Sequence, residues 1–136
     1  MSNHKDLDPK QLNSIVLAYI GDAIYEVYVR QHLIESGQIN PHELHQRAVK
    51  FVAATGQAQI VHDWLESNVL STEEAAVIRR GRNAKSNSVP KNASIQDYRY
   101  ATGFEALLGY LHLSGQTERL ESLITSSIQF IENKEK

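Results

Sequence analysis

Asp22 and Glu105 are the residues of this sequence whose setting asks for a chemical explanation. Each acid stands inside an apolar, helix-patterned run: Tyr19-Ile20-Gly21-Asp22-Ala23-Ile24-Tyr25 and Gly103-Phe104-Glu105-Ala106-Leu107-Leu108-Gly109-Tyr110. A carboxylate in apolar surroundings must be paired, hydrogen-bonded, protonated or bound to a metal. Taken singly, each has a plain reading. Asp22 after Gly21 caps a helix, and Glu105 pairs with an arginine from another helix. Two such acids, both beside glycines, imply more if their helices pack together, because two hard oxygen donors then converge with room for a phosphate. That donor set suits Mg²⁺, which prefers oxygen and commonly takes only one or two protein carboxylates together with water and substrate phosphate. Such an ion polarises a phosphodiester and supplies a hydroxide-like nucleophile. Glu26 lies one helical turn after Asp22 on the same face. It is either a further ligand or base, or the ion-pair partner of Arg30 four residues on, and the second reading is the plainer.

The second chemical feature is a concentration of positive charge. Arg79, Arg80, Arg82, Lys85, Lys91 and Arg99 stand in one short segment against a single acid, Asp97. The whole chain has 14 Lys and Arg against 16 Asp and Glu, a net charge of −2, so the remainder is acidic. A basic segment on an acidic protein is a candidate phosphate-binding surface, although a solvated loop has the same composition. Asn83, Ser86 and Asn87 in the same stretch add polar groups suited to RNA.

The elements that must position these residues are read from the apolar pattern, which is helical almost throughout. Leu12, Ile15, Val16, Tyr19, Ile20, Ala23, Ile24 and Val27 recur at three- and four-residue steps. That width predicts a central, largely buried helix, or a pair broken near Gly21, opening at Asp8-Pro9 and stopping at Gly37. Asn40-Pro41 opens a second helix, which continues or restarts after Gly56 through Trp64 and Leu65. Ser71-Thr72-Glu73-Glu74 reads as a capping box for a helix ending near Gly81. Residues 83–94 read as a loop. Ser94 caps a helix carrying Phe104 to Leu111, and a last amphipathic helix holds Leu120, Leu123, Ile124, Ile128 and Ile131. No segment alternates as a strand, so the expected class is all-α, in one domain over residues 1–136.

The 136 residues suffice for one core, and the absence of cysteine excludes disulfides, zinc knuckles and thiol nucleophiles. The polar start and the acids inside the most apolar run argue against a signal peptide and a membrane span, so a cytoplasmic location is expected. One rival chemistry is visible. His62-Asp63, with His32, His42 or His45 upstream and Asp97 downstream, has the elements of an HD-type metal phosphohydrolase, a motif that is weak without its context.

The two acid motifs, in this order, resemble the catalytic domain of the ribonuclease III family. Its signature Leu-Gly-Asp-Ala is matched by Ile20-Gly21-Asp22-Ala23, and its later Glu-Ala-Leu-hydrophobic-Gly run by Glu105-Ala106-Leu107-Leu108-Gly109. Leu17 to Glu26, Arg80 to Lys85 and Tyr98 to Leu111 together are similar to the Mini-ribonuclease III branch. The resemblance implies a homodimeric helical endonuclease domain with its core at about residues 9–132 and no double-stranded RNA-binding domain. It implies Mg²⁺-dependent cleavage of double-stranded RNA, with Mn²⁺ as a substitute, and precursor large-subunit (23S) ribosomal RNA as substrate. Asp22 and Glu105 become the catalytic and metal-binding pair, with Glu26 and Thr102 as outer partners. RNA contacts fall to Arg79, Arg80, Arg82, Asn83, Lys85, Lys91 and Arg99. Ile15, Ala18 and Thr102 stand where the larger family carries acids, which implies a reduced ligand set. A dimer that binds RNA without cutting it is the alternative.

Overall fold

A computed structural model describes residues 7–37, 40–84 and 94–134. Among them are a short 3₁₀ turn, Pro9–Gln11, and six α-helices: α1 Ser14–Glu35, α2 Pro41–Val52, α3 Ala54–Glu66, α4 Thr72–Asn83, α5 Ile95–Leu113 and α6 Thr117–Lys134. No strand occurs among the described residues, as the pattern predicts.

The helix starts follow from side chains that satisfy free backbone N–H groups. Asn13 accepts from the Ile15 N–H at 2.7 Å and opens α1. The Asp8-Pro9 signal instead opens only the 3₁₀ turn, with Asp8 accepting from Lys10. Asn40 accepts from His42 and Glu43 ahead of α2. Ser71 and Glu74 form the reciprocal box of α4, and Ser94 accepts from Asp97 at the start of α5. The break between α2 and α3 falls at Ala53 rather than after Gly56, and α4 runs two residues past Gly81.

The core is organised around α5. From Ala101 to Leu111 every residue except Glu105 is buried. Helices α1, α4 and α3 pack along it, and α6 adds Leu120, Leu123, Ile124, Ile128 and Ile131. Tyr25 of α1 meets Phe104 edge-on at 5.0 Å between ring centroids, and Trp64 of α3 meets the same ring at 5.6 Å.

Of the two readings of α1, the single helix is the one formed, without a break at Gly21; the expectation that it is largely buried is corrected. A Cβ at Gly21 would lie 1.8 Å from the Glu105 carbonyl oxygen, and one at Gly109 would lie 1.9 Å from that of Leu17. Gly21 therefore marks the place where α1 and α5 cross backbone against backbone, and the helix continues through it. Only the inward stripe of α1, Leu17, Ala18, Gly21, Tyr25, Val29 and Leu33, is buried. Tyr19 is 82% exposed, Val27 61% and Val16 50%. The wide apolar face divides into a core stripe and an open one. No described helix is long and apolar enough to cross a membrane.

Candidate active site

The crossing of α1 and α5 determines where the two acids meet. Asp22 follows Gly21 on α1, and Glu105 supplies the α5 carbonyl that Gly21 nearly touches. Neither helix could approach this closely with a larger residue at Gly21 or Gly109, so the glycines beside the acids are what bring the acids together. The Glu105 carboxyl lies within hydrogen-bonding reach of Asp22. The two differ in exposure, however. Asp22 is solvent-exposed at the rim, contrary to the expectation of two buried acids, and Glu105 is half-buried beneath it.

That geometry pushes the Glu105 carboxyl up to about 9. Burial is the largest cause, because it penalises the charged form. The charge of Asp22 and a hydrogen bond shared with it come next, and the charge of Glu26 adds to them. Without a cation Glu105 therefore carries a proton at neutral pH, donated toward Asp22. A divalent cation relieves the same crowding by replacing that proton, so the pair fits an oxygen-preferring ion. Among the described residues no group of three or more His, Asp or Glu forms a metal cage.

Gln57 of α3 also enters the site, and sequence reasoning missed it. Its side chain is 1% exposed, and its amide favours the ionised form of Glu105. The available signal was a long amide at the head of the apolar run Gln57-Ala58-Gln59-Ile60-Val61.

The two outer partners fare differently. Glu26 holds Arg30 at 3.1 Å, the plainer reading, and still acts on Glu105 through its charge. Thr102 is buried one turn before Glu105, and its hydroxyl donates to its own helix at the Tyr98 carbonyl, 3.0 Å away. Its proton is thus not available to the acid pair.

Of the basic residues, Arg79 and Arg99 are exposed on α4 and α5. The Arg82 guanidinium lies over the Tyr100 ring, 5.6 Å from its centroid, and donates to the Tyr100 hydroxyl and to Asn83. Arg80 is exposed and close enough to Glu73 to help hold that carboxyl low, behind the larger effects of Lys10 and the Tyr110 hydroxyl. Asn83 ends α4 rather than beginning a loop. Lys85, Ser86, Asn87 and Lys91 lie outside the described residues.

The rival HD arrangement is not assembled. His62 packs against Tyr100 at 4.4 Å, His32 pairs with Glu132 at 2.6 Å, and Asp97 accepts from Thr55. Each of these side chains is engaged with another partner, and no three such ligands gather among the described residues.

The ribonuclease III domain family model matches residues 15–116, a span that includes both acids. Mini-ribonuclease 3 of Enterococcus faecalis is 51% identical over 122 residues, covering 90% of this chain and 92% of that one. Mini-ribonuclease 3 of Streptococcus pneumoniae is 46% identical and covers 93% and 98%. The crystal structure of protein FN1578 from Fusobacterium nucleatum superposes with a TM-score of 0.81 at 26% identity, over 91% of this chain and 99% of that one. The chain belongs to the ribonuclease III family of endoribonucleases, in its Mini-ribonuclease 3 branch.

Proposed function

We propose that this protein cuts double-stranded RNA by Mg²⁺-dependent hydrolysis of phosphodiesters, as a homodimer, in the maturation of 23S ribosomal RNA. The observation that carries the reading is the meeting of Asp22 and Glu105 at a solvent-open helix crossing in a ribonuclease III chain. Asp22 and Glu105 hold the ion, and Mn²⁺ can take its place. When bound, the ion supplies Lewis acidity toward the phosphodiester and an activated water. Asp22, at the rim, offers its charge toward solvent, and Glu105 gives up its proton as the ion arrives. Arg79, Arg80, Arg82, Asn83 and Arg99, with Lys85 and Lys91, contact phosphates and 2′-hydroxyls along the duplex. The products carry 5′-phosphate and 3′-hydroxyl ends.

The test is cleavage of a precursor 23S duplex with and without Mg²⁺, using wild type and Asp22→Asn. Wild type should cut only with Mg²⁺ or Mn²⁺, and should prefer the precursor over a random duplex. Asp22→Asn should bind the duplex and fail to cut it. Cutting by that variant at the wild-type rate would remove Asp22 from the site.

The open stripe of α1 supports the dimer. Val16, Tyr19, Ala23 and Val27 follow helical spacing on one outward face, and all are exposed. An apolar stripe of this kind on a soluble domain marks an interaction surface. Because Asp22 lies on the same helix, pairing through the stripe places both acid pairs along one duplex. Val27→Asp should elute as a folded monomer in size-exclusion chromatography with light scattering, and its cleavage should drop sharply. A dimer of unchanged mass would place the interface elsewhere.

A further inference from the structure

Gln57 is a polar side chain in a place that does not reward one. It is 1% exposed, and α3 surrounds it with the buried Ala58, Ile60 and Val61. Its Nε2 is fully buried, and no described group accepts a well-formed hydrogen bond from it. A buried, unpaired amide donor is unfavourable, and native proteins keep few of them. An aliphatic residue of the same volume would suit this position in the metal-free fold. The half-buried Glu105 carboxyl lies close to this amide, whose donor side suits a carboxylate.

We propose that Gln57 is a positioning residue for the acid pair: its Nε2–H donates to the ionised Glu105 carboxylate and holds the rotamer in which Glu105 and Asp22 face a divalent cation together. A half-buried carboxylate that ligates an ion keeps lone pairs that the ion does not use. A neutral donor at its back then becomes a charge-assisted partner, stronger than an ordinary hydrogen bond. Helix α3 thus acts on the site without touching RNA. The metal-free fold carries an unsatisfied donor, and the loaded site uses it. Groups that orient a metal's ligands in this way typically change affinity or activity by about 10–100-fold when removed.

The inference rests on the nuclease reading. Gln57→Met and Gln57→Leu, which keep volume and remove the donor, test it by three measurements. In chelator, both variants should melt at or above the wild-type temperature. Mn²⁺ titrated into RNA-free protein, followed by electron paramagnetic resonance or calorimetry, should bind at least about tenfold more weakly. On duplex RNA, kcat should fall while KM stays near wild type, because the duplex contacts are elsewhere. Wild-type Mn²⁺ affinity in both variants would overturn the inference and leave the nuclease reading standing. A loss of melting temperature that accounts for the weaker binding would reduce Gln57 to a structural amide and also overturn it. If the wild type itself neither bound Mn²⁺ nor cut RNA, the nuclease reading would fail first and the inference with it.

Discussion

Glu105→Gln is expected to abolish cleavage and, in the same protein, to remove a pH dependence of stability. The first effect follows from losing one of the two carboxylates proposed to hold the cation. Losing one preorganised electrostatic group commonly lowers kcat by about 10²–10³-fold, and with only two such groups the upper figure applies. The second effect follows from the raised Glu105 carboxyl, pushed up to about 9 by burial, then by the charge and hydrogen bond of Asp22. The unfolded chain ionises this group near its ordinary 4.5. A group raised on folding contributes stability below its unfolded value and loses it as pH rises toward the folded one. Metal-free wild type should therefore melt at progressively lower temperature between about pH 4.5 and 9, relative to Glu105→Gln, whose amide stays neutral throughout. Adding Mg²⁺ at pH 8 should raise the wild-type melting temperature and leave the variant's nearly unchanged. Melting curves of the two proteins in chelator across pH provide the check. Parallel curves would show that Glu105 is not held protonated by the fold.

Gly21→Ala is expected to be the most damaging single-carbon change in the molecule. The added Cβ would fall 1.8 Å from the Glu105 carbonyl oxygen, 2.8 Å from its carbon and 2.9 Å from the Gly109 nitrogen. All three are backbone atoms of a fully packed helix, so no side chain can swing away. Relief requires α1 and α5 to separate along their whole contact, which opens gaps in the Tyr25–Phe104 packing. Overpacking of a tight core typically destabilises by about 1–3 kcal/mol, and a backbone clash belongs at or above the top of that range. At about 3 kcal/mol, a domain of this size should lose roughly 10 °C in Tm. Gly56→Ala is the control. Its Cβ would meet the tip of Ile131 at 3.0 Å, which a flexible side chain can relieve, and alanine favours the helix by about 0.5–1 kcal/mol. The two changes are chemically identical. Thermal unfolding should therefore show a large loss at Gly21 and almost none at Gly56. Equal effects would mean that the crossing is looser than described.

The helices were legible in the sequence because their signals are local. Asn40, Ser71 and Ser94 each cap the helix that their side chains predict, since a cap needs only the next few residues. The acids were legible as anomalies, and the resemblance paired them. Four features were not legible, three because they depend on elements distant in the chain, and Thr102 because its bond within its own helix is one of several that a threonine can make. Gly21 reads locally as a break, and only the presence of Gly109 on α5 makes it a crossing. The apolar width of α1 reads as burial, but one stripe stays open because no described helix covers it. Thr102 reads as a spare hydroxyl until its own helix supplies the Tyr98 carbonyl. Gln57 reads as one polar residue among many until α3 brings it to Glu105.

The sequence by itself therefore determined the class of fold and the family, and marked the two acids as anomalous, because caps, apolar periodicity and motif spacing are properties of neighbouring residues. Only the tertiary structure decided that Asp22 is open while Glu105 is sheltered and protonated, and that a buried amide stands at its back. Those facts arise from how closely two glycine-bearing helices approach, and such a distance is set by residues more than eighty positions apart.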